Sequence, residues 1–113
     1  MKYNAKEVYG VDVIEVTGKL EGGPGAAEFQ DFIASKIENG HNKFVANLGD
    51  VKFVNSTGIG ILIRAYTTLK NAGGDMKLAE VSDKVNGVLS ITKLNSVFKF
   101  YDTENDAVRS YED

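Results

Sequence analysis

The stretch that most constrains this chain is "KFVANL" (43–48), continued by "VKFV" to a turn at Asn55. KFVANL is short, continuous and mostly apolar, the pattern of a strand buried on both faces. Helical periodicity flanks the run on either side. Upstream, Phe29, Phe32, Ile33 and Ile37 recur at helical spacing between Ala26 and Asn39, with Pro24 suited to the helix start and Gly40 to its stop. Downstream, a second helix runs from the turn to about Asn71 and closes at "AGG". Parallel strands need crossover connections, so a buried strand between two helices belongs to a helix-covered sheet.

The remaining segments fit that frame. Residues 3–9 and 11–17 read as a hairpin about Gly10, with Val11, Val13 and Val16 near one face and Asp12 and Glu15 toward solvent. "DMKLAEV" is a further strand. Ser82 reads as the N-cap of a short helix carrying Val85, Val88, Leu89 and Ile91. "SVFKFY" is a last short strand that places Phe98, Phe100 and Tyr101 in the core. Thr103, with Asp106 three residues on, predicts a capped C-terminal helix through Tyr111. The expectation is a single α/β domain over 1–113: a mixed, mainly parallel sheet of about five strands, opened by an N-terminal hairpin, with about four helices.

Composition narrows the function. The net charge is −3, and the 13 basic residues form no run or stripe, so nucleic acid and anionic membrane surfaces are not expected partners. There are no cysteines, which removes disulfides, thiolate metal sites and cysteine nucleophiles. The N-terminus lacks the apolar segment of a secretory signal, and a cytoplasmic location follows as the default. His41 is the sole histidine. It reads as a solvated loop residue in "NGHNK", and a structural zinc site is implausible. "EGGPGAAEF" lacks the Lys-Ser/Thr of a P-loop and reads as a connection.

The turn "VNSTGIG" carries the most information. At 100° per residue, Ile59, Leu62, Ile63, Tyr66 and Leu69 cluster on the sheet side of the second helix. Ser56, Gly60, Arg64 and Thr67 form an outward strip, with Ile61 at its margin. Two readings stand beside each other. Asn55 or Ser56 caps the helix, or a hydroxyl is displayed at the head of an open strip. Gly58 and Gly60 favour a reason beyond capping, because glycine this early in a helix costs about 0.5–1 kcal/mol relative to alanine.

"FVNSTGIGIL" resembles the signature of the STAS domain of bacterial anti-sigma factor antagonists, in which an apolar strand ends in Asp-Ser-Ser/Thr/Ala-Gly-Leu/Ile-Gly and the serine is phosphorylated. "VTGKLEG", "FVANLGDVKFV" and the course from "LKNAGG" to "NDAV" extend the resemblance over nearly the whole chain. It implies a non-enzymatic binding module that, unphosphorylated, engages an anti-sigma serine kinase and is switched off by phosphorylation at Ser56. ATP and Mg²⁺ would belong to that kinase, with no cofactor for the chain itself, and a PP2C-type phosphatase would reset the serine. The resemblance places the partner surface on Glu21, Gly22, Gly23, Asn55, Ser56, Thr57, Gly58, Gly60, Ile61 and Arg64, with Thr57 structural. Asp50, near a strand end, is a further candidate for that surface. Asn55 departs from the usual Asp. It keeps the capping geometry and drops the charge, which leaves open a scaffold or partner-switch component not regulated by phosphorylation. An enzyme is the remote alternative, since no base lies near Ser56 in the sequence.

Overall fold

The computed structural model describes residues 1–112. Its centre is the long strand β3 (Lys43–Val54), unbroken through both apolar segments; β1 (Lys2–Val8) and β2 (Val11–Leu20) lie to one side, β4 (Asp75–Ala79) and β5 (Phe100–Tyr101) to the other. The sheet order is β1-β2-β3-β4-β5, antiparallel between β1 and β2 and parallel elsewhere. The helices are α1 (Pro24–Glu38), α2 (Ser56–Asn71), α3 (Asp83–Ile91) and α4 (Glu104–Arg109). Strand number, mixed direction, opening hairpin and four helices are those predicted from the sequence.

The hairpin closes through Tyr9 (φ 51°) and Gly10 (φ 77°), two consecutive left-handed residues. That pair is the two-residue turn whose twist matches antiparallel strands. In β2, alternation sets Val11 and Val13 on one face and Ile14, Val16 and Leu20 on the other, each set buried in its own apolar cluster. Val16 therefore does not share a face with Val11 and Val13, because both sides of the sheet are covered. For the same reason Asp12 does not reach solvent; it is buried.

The larger cluster joins Phe29 and Ile33 of α1, Leu62, Ala65 and Leu69 of α2, Val85 and Leu89 of α3, and the facing residues of β2, β3 and β4. The smaller one joins Val11, Val13, Val45 and Ala79 to Ala107 and Val108 of α4. α4 starts on Thr103, whose hydroxyl accepts from the Asp106 amide at 3.0 Å. It ends at Arg109, two residues before the predicted end. Tyr111 instead reaches over the starts of β3 and β4, its hydroxyl proton shared between the carbonyls of Phe44 (2.7 Å) and Asp75 (3.0 Å).

Two C-terminal expectations need correction. The predicted strand at 96–101 is reduced to Phe100–Tyr101, paired with Leu78 and Ala79, and residues Leu94–Ser96 form a 3-10 turn. Phe98 is buried outside the strand, its ring 5.0 Å from that of Tyr66 in an edge-on arrangement. Ile91 closes α3 on its outer side at 83% exposure, so it is not part of the apolar face.

Candidate functional site

The head of α2 is fixed by one carbonyl. The Asn55 amide donates to the Leu20 carbonyl at 3.4 Å. A Cβ placed on Gly58 would lie 1.8 Å from that same oxygen. Gly58 is thus required for the helix to touch the end of β2, a closeness no side chain permits. Asn55 is extended (φ −127°, ψ 179°), and its side-chain oxygen accepts from the Gly58 amide at 2.9 Å. The cap of α2 is therefore a carboxamide, whereas α3 and α4 are capped by the hydroxyls of Ser82 and Thr103. Ser56 is the first helical residue and is exposed, and capping is done by its neighbour. No acidic side chain stands in the first turn of α2, so the positive end of the helix dipole is uncompensated there.

Below Ser56 lies an open groove of about 480 Å³ between α1 and α2. Thr57, Gly60, Ile61 and Arg64 form one wall; Gly23, Ala26, Ala27, Gln30 and Asp31 form the other. Gly60 leaves empty space where a side chain would stand. Glu21 and Gly22 are half-buried beside it, and Gly22 packs on the Thr57 methyl, where an added Cβ would come within 2.9 Å. The fold thus gathers these residues at one end of α2, but Gly58, expected on the partner surface, is buried because it abuts the Leu20 carbonyl.

Some details differ. Ile61 is not stranded at the margin of a polar strip; it is buried at 7% exposure, because α1 covers it and the Gln30 side chain donates to its carbonyl at 3.1 Å. Ile63 and Tyr66 are only partly buried, while Ala65 is fully so. Asp50 pairs with Thr17 within β3 and does not stand at the strand's end. Four strand residues and the Asn55 cap separate it from Ser56, roughly 20 Å along the chain. The α1 wall was missed in the sequence. Its only signal is a set of small and polar residues on α1: Ala27 and Asp31 lie opposite Phe29 and Ile33, while Ala26 and Gln30 flank the apolar face.

His41 is also not a freely solvated loop residue. Its Nδ1 lies 2.8 Å from a carboxylate oxygen of Asp12 and 3.9 Å from one of Glu7, while Lys36 Nζ lies 3.6 Å from the other Asp12 oxygen. This group sits at the starts of β2 and β3, and Ser56 follows the far end of β3, so the chain's one imidazole is not a base for the serine.

An α/β sheet with an opening hairpin, and an exposed serine at the start of a helix whose glycine abuts the end of β2, define a class of small domains. The chain belongs to the STAS domain family, whose profile matches residues 2–107. A Thermotoga maritima relative carrying the name of a candidate anti-sigma factor antagonist is 32% identical over 72 residues, 64% of either chain. The chain thus matches just under two thirds of that relative's length. The anti-sigma F factor antagonist of Paenibacillus polymyxa is 22% identical over 108 residues, covering 91% of this chain and 88% of the relative. Among solved structures, a candidate anti-sigma factor antagonist from Thermotoga maritima superposes with a TM-score of 0.87 at 26% identity, over 98% of this chain and 95% of that one. The unphosphorylated antagonist SpoIIAA gives 0.77 at 20% identity, a likeness of fold alone. So does a murine anion transporter at 0.72, of which the matched part is 18%. Among the described residues no helix of this chain is long and apolar enough to cross a membrane.

Proposed function

We propose that this chain is an anti-sigma factor antagonist that binds an anti-sigma serine kinase through the Ser56 end of the α1–α2 groove and releases it on phosphorylation of Ser56. The observation that carries this reading is the division of labour at the head of α2. Asn55 makes the cap bond, so the Ser56 hydroxyl can be modified without removing a bond that holds the helix. A phosphoserine adds about −1.5 to −2 charges. The uncompensated helix start tolerates that anion, and a docked partner has to desolvate it or collide with it. Supporting the idea that such a fold survives the modification, SpoIIAA has been solved in both unphosphorylated and phosphorylated forms, and this chain resembles the two almost equally, with TM-scores of 0.77 and 0.76.

On this reading the protein works in the cytoplasm, catalyses nothing itself, and is reset by a PP2C-type phosphatase. ATP and Mg²⁺ are the kinase's. The test is incubation of the chain with anti-sigma kinases and ATP–Mg²⁺, followed by intact-mass measurement. One added phosphate is expected, with none on Ser56→Ala; phosphate at another residue, or on neither protein, overturns the reading. The neutral Asn55 motivates a second reading, a STAS scaffold not switched at Ser56. Equal kinase capture by the wild type and Ser56→Asp would favour it.

A further inference from the structure

We propose that Glu7, Asp12 and His41 form a binding site for a first-row divalent transition-metal ion, of the zinc class, at the end of the molecule remote from Ser56. Glu7 and Asp12 are direct cross-strand partners in the hairpin. Two carboxylates opposite one another repel, and Asp12 is buried, its side chain 3% exposed. A buried carboxylate needs a positive partner. Lys36 supplies one charge to one Asp12 oxygen at 3.6 Å. The other oxygen faces His41 Nδ1 at 2.8 Å, and the Glu7 oxygen lies 3.9 Å from that same nitrogen. A carboxylate only accepts, so the 2.8 Å contact is a hydrogen bond from Nδ1–H to Asp12. A cation bound at the meeting point of Glu7, Asp12 and His41 takes the place of that proton, which moves to Nε2 or leaves to solvent, and faces both carboxylates.

The geometry selects the kind of cation. The three ligand atoms lie within 4.8 Å of one another. Bonds of about 2.0–2.2 Å in a tetrahedral site put neighbouring ligand atoms roughly 3.4 Å apart. The observed 2.8 and 3.9 Å bracket that spacing, so small side-chain rotations complete the set. One imidazole with two carboxylates suits zinc-class ions, whereas Mg²⁺ prefers oxygen ligands and keeps its waters. A shallow open pocket that includes Glu7, His41, Asn42 and Lys43 gives access for the ion and for a water as fourth ligand. The three ligands come from β1, β2 and the α1–β3 loop, so the bound ion ties the exposed hairpin edge to the centre of the sheet. Sequence spacing alone could not suggest the site, because its ligands are 5 and 29 residues apart.

The test uses the full chain, free of any affinity tag, titrated with ZnCl₂ and, separately, MgCl₂ by calorimetry and thermal unfolding. One Zn²⁺ per chain and a raised unfolding temperature are expected, with no response to Mg²⁺. Loss of an outer-shell partner alone weakens metal sites by about 10–100-fold, so His41→Asn and Glu7→Gln should each cost at least that much. No Zn²⁺ binding, or undiminished binding by His41→Asn, overturns the proposal. Because His41 is the sole histidine, its ring gives one set of NMR signals in the wild type. Ring signals unmoved by saturating Zn²⁺ would overturn the proposal even if a variant failed to fold.

Discussion

The two faces of the sheet are held down by different physics. On the face that carries the groove, α1, α2 and α3 are fastened by apolar burial, from Phe29 and Ile33 to Leu62, Leu69 and Leu89. On the other, the six-residue α4 contributes only Ala107 and Val108 to a small cluster. Polar bonds close the remainder. Lys77 Nζ donates to the Ser110 hydroxyl at 2.8 Å and to its carbonyl at 3.2 Å, 3.9 Å from the centre of the Tyr111 ring. At the start of α4, burial pushes the Glu104 carboxyl up, but hydrogen bonds from Asn47 and Lys6 outweigh it and hold the group below its ordinary value. A short helix cannot bury enough surface to stay in place by that means alone. The polar bonds substitute for area. They are directional, so they fix α4 in one position, and each is open to removal by a single substitution.

That contrast is testable by breaking each face in turn, beginning where the effect should be greatest. Gly58→Ala drives a methyl into the Leu20 carbonyl and forces α2 off β2. A loss of at least about 3 kcal/mol is expected in urea unfolding, and a loss below about 1 kcal/mol would mean the junction yields easily. Lys77→Ala removes the buried stem and both bonds to Ser110, with an expected cost of about 2 kcal/mol. If α4 is held as described, its amides lose hydrogen-exchange protection in this variant while those of α2 keep theirs. Tyr111→Phe removes the hydroxyl shared by the Phe44 and Asp75 carbonyls at a cost of about 1 kcal/mol, and it also changes the alkaline limb of stability. Burial pushes the Tyr111 phenol well above its ordinary value of 10.0. A raised folded value gives a contribution that is full below the unfolded value and fades as pH rises past it. The wild type should therefore lose stability above about pH 10 more steeply than the Phe variant, and parallel curves would refute the assignment. The smallest effect belongs to Gly60→Ala. Its Cβ meets nothing within 4 Å, so a gain of about 0.5 kcal/mol is expected by thermal unfolding.

The apolar face is also the one the sequence reveals. Helical spacing in α1 and α2 and the continuous β3 run are patterns set by burial, and burial leaves a periodic trace. Ser82 and Thr103 were visible because caps follow local chemistry. What stayed hidden depends on contacts between distant segments. Ile61 looks marginal until α1 arrives to cover it, and the α1 wall of the groove has no period of its own. Asp12 and Glu15 interrupt the apolar run of β2 as charged residues bound for solvent would, yet Asp12 is buried because the end of α1 and the His41 loop close over it. SVFKFY has strand propensity throughout, but β4 offers partners only at Leu78 and Ala79. The head of α2 was legible as a motif; that Asn55 and not Ser56 takes the cap needed the geometry.

The carboxamide at that cap has a consequence beyond the serine. An amide side chain neither gains nor loses a proton over the range in which proteins survive. Helix α2 therefore begins the same way in acid as at neutrality, and the surface it presents does not drift with the acidity of its surroundings.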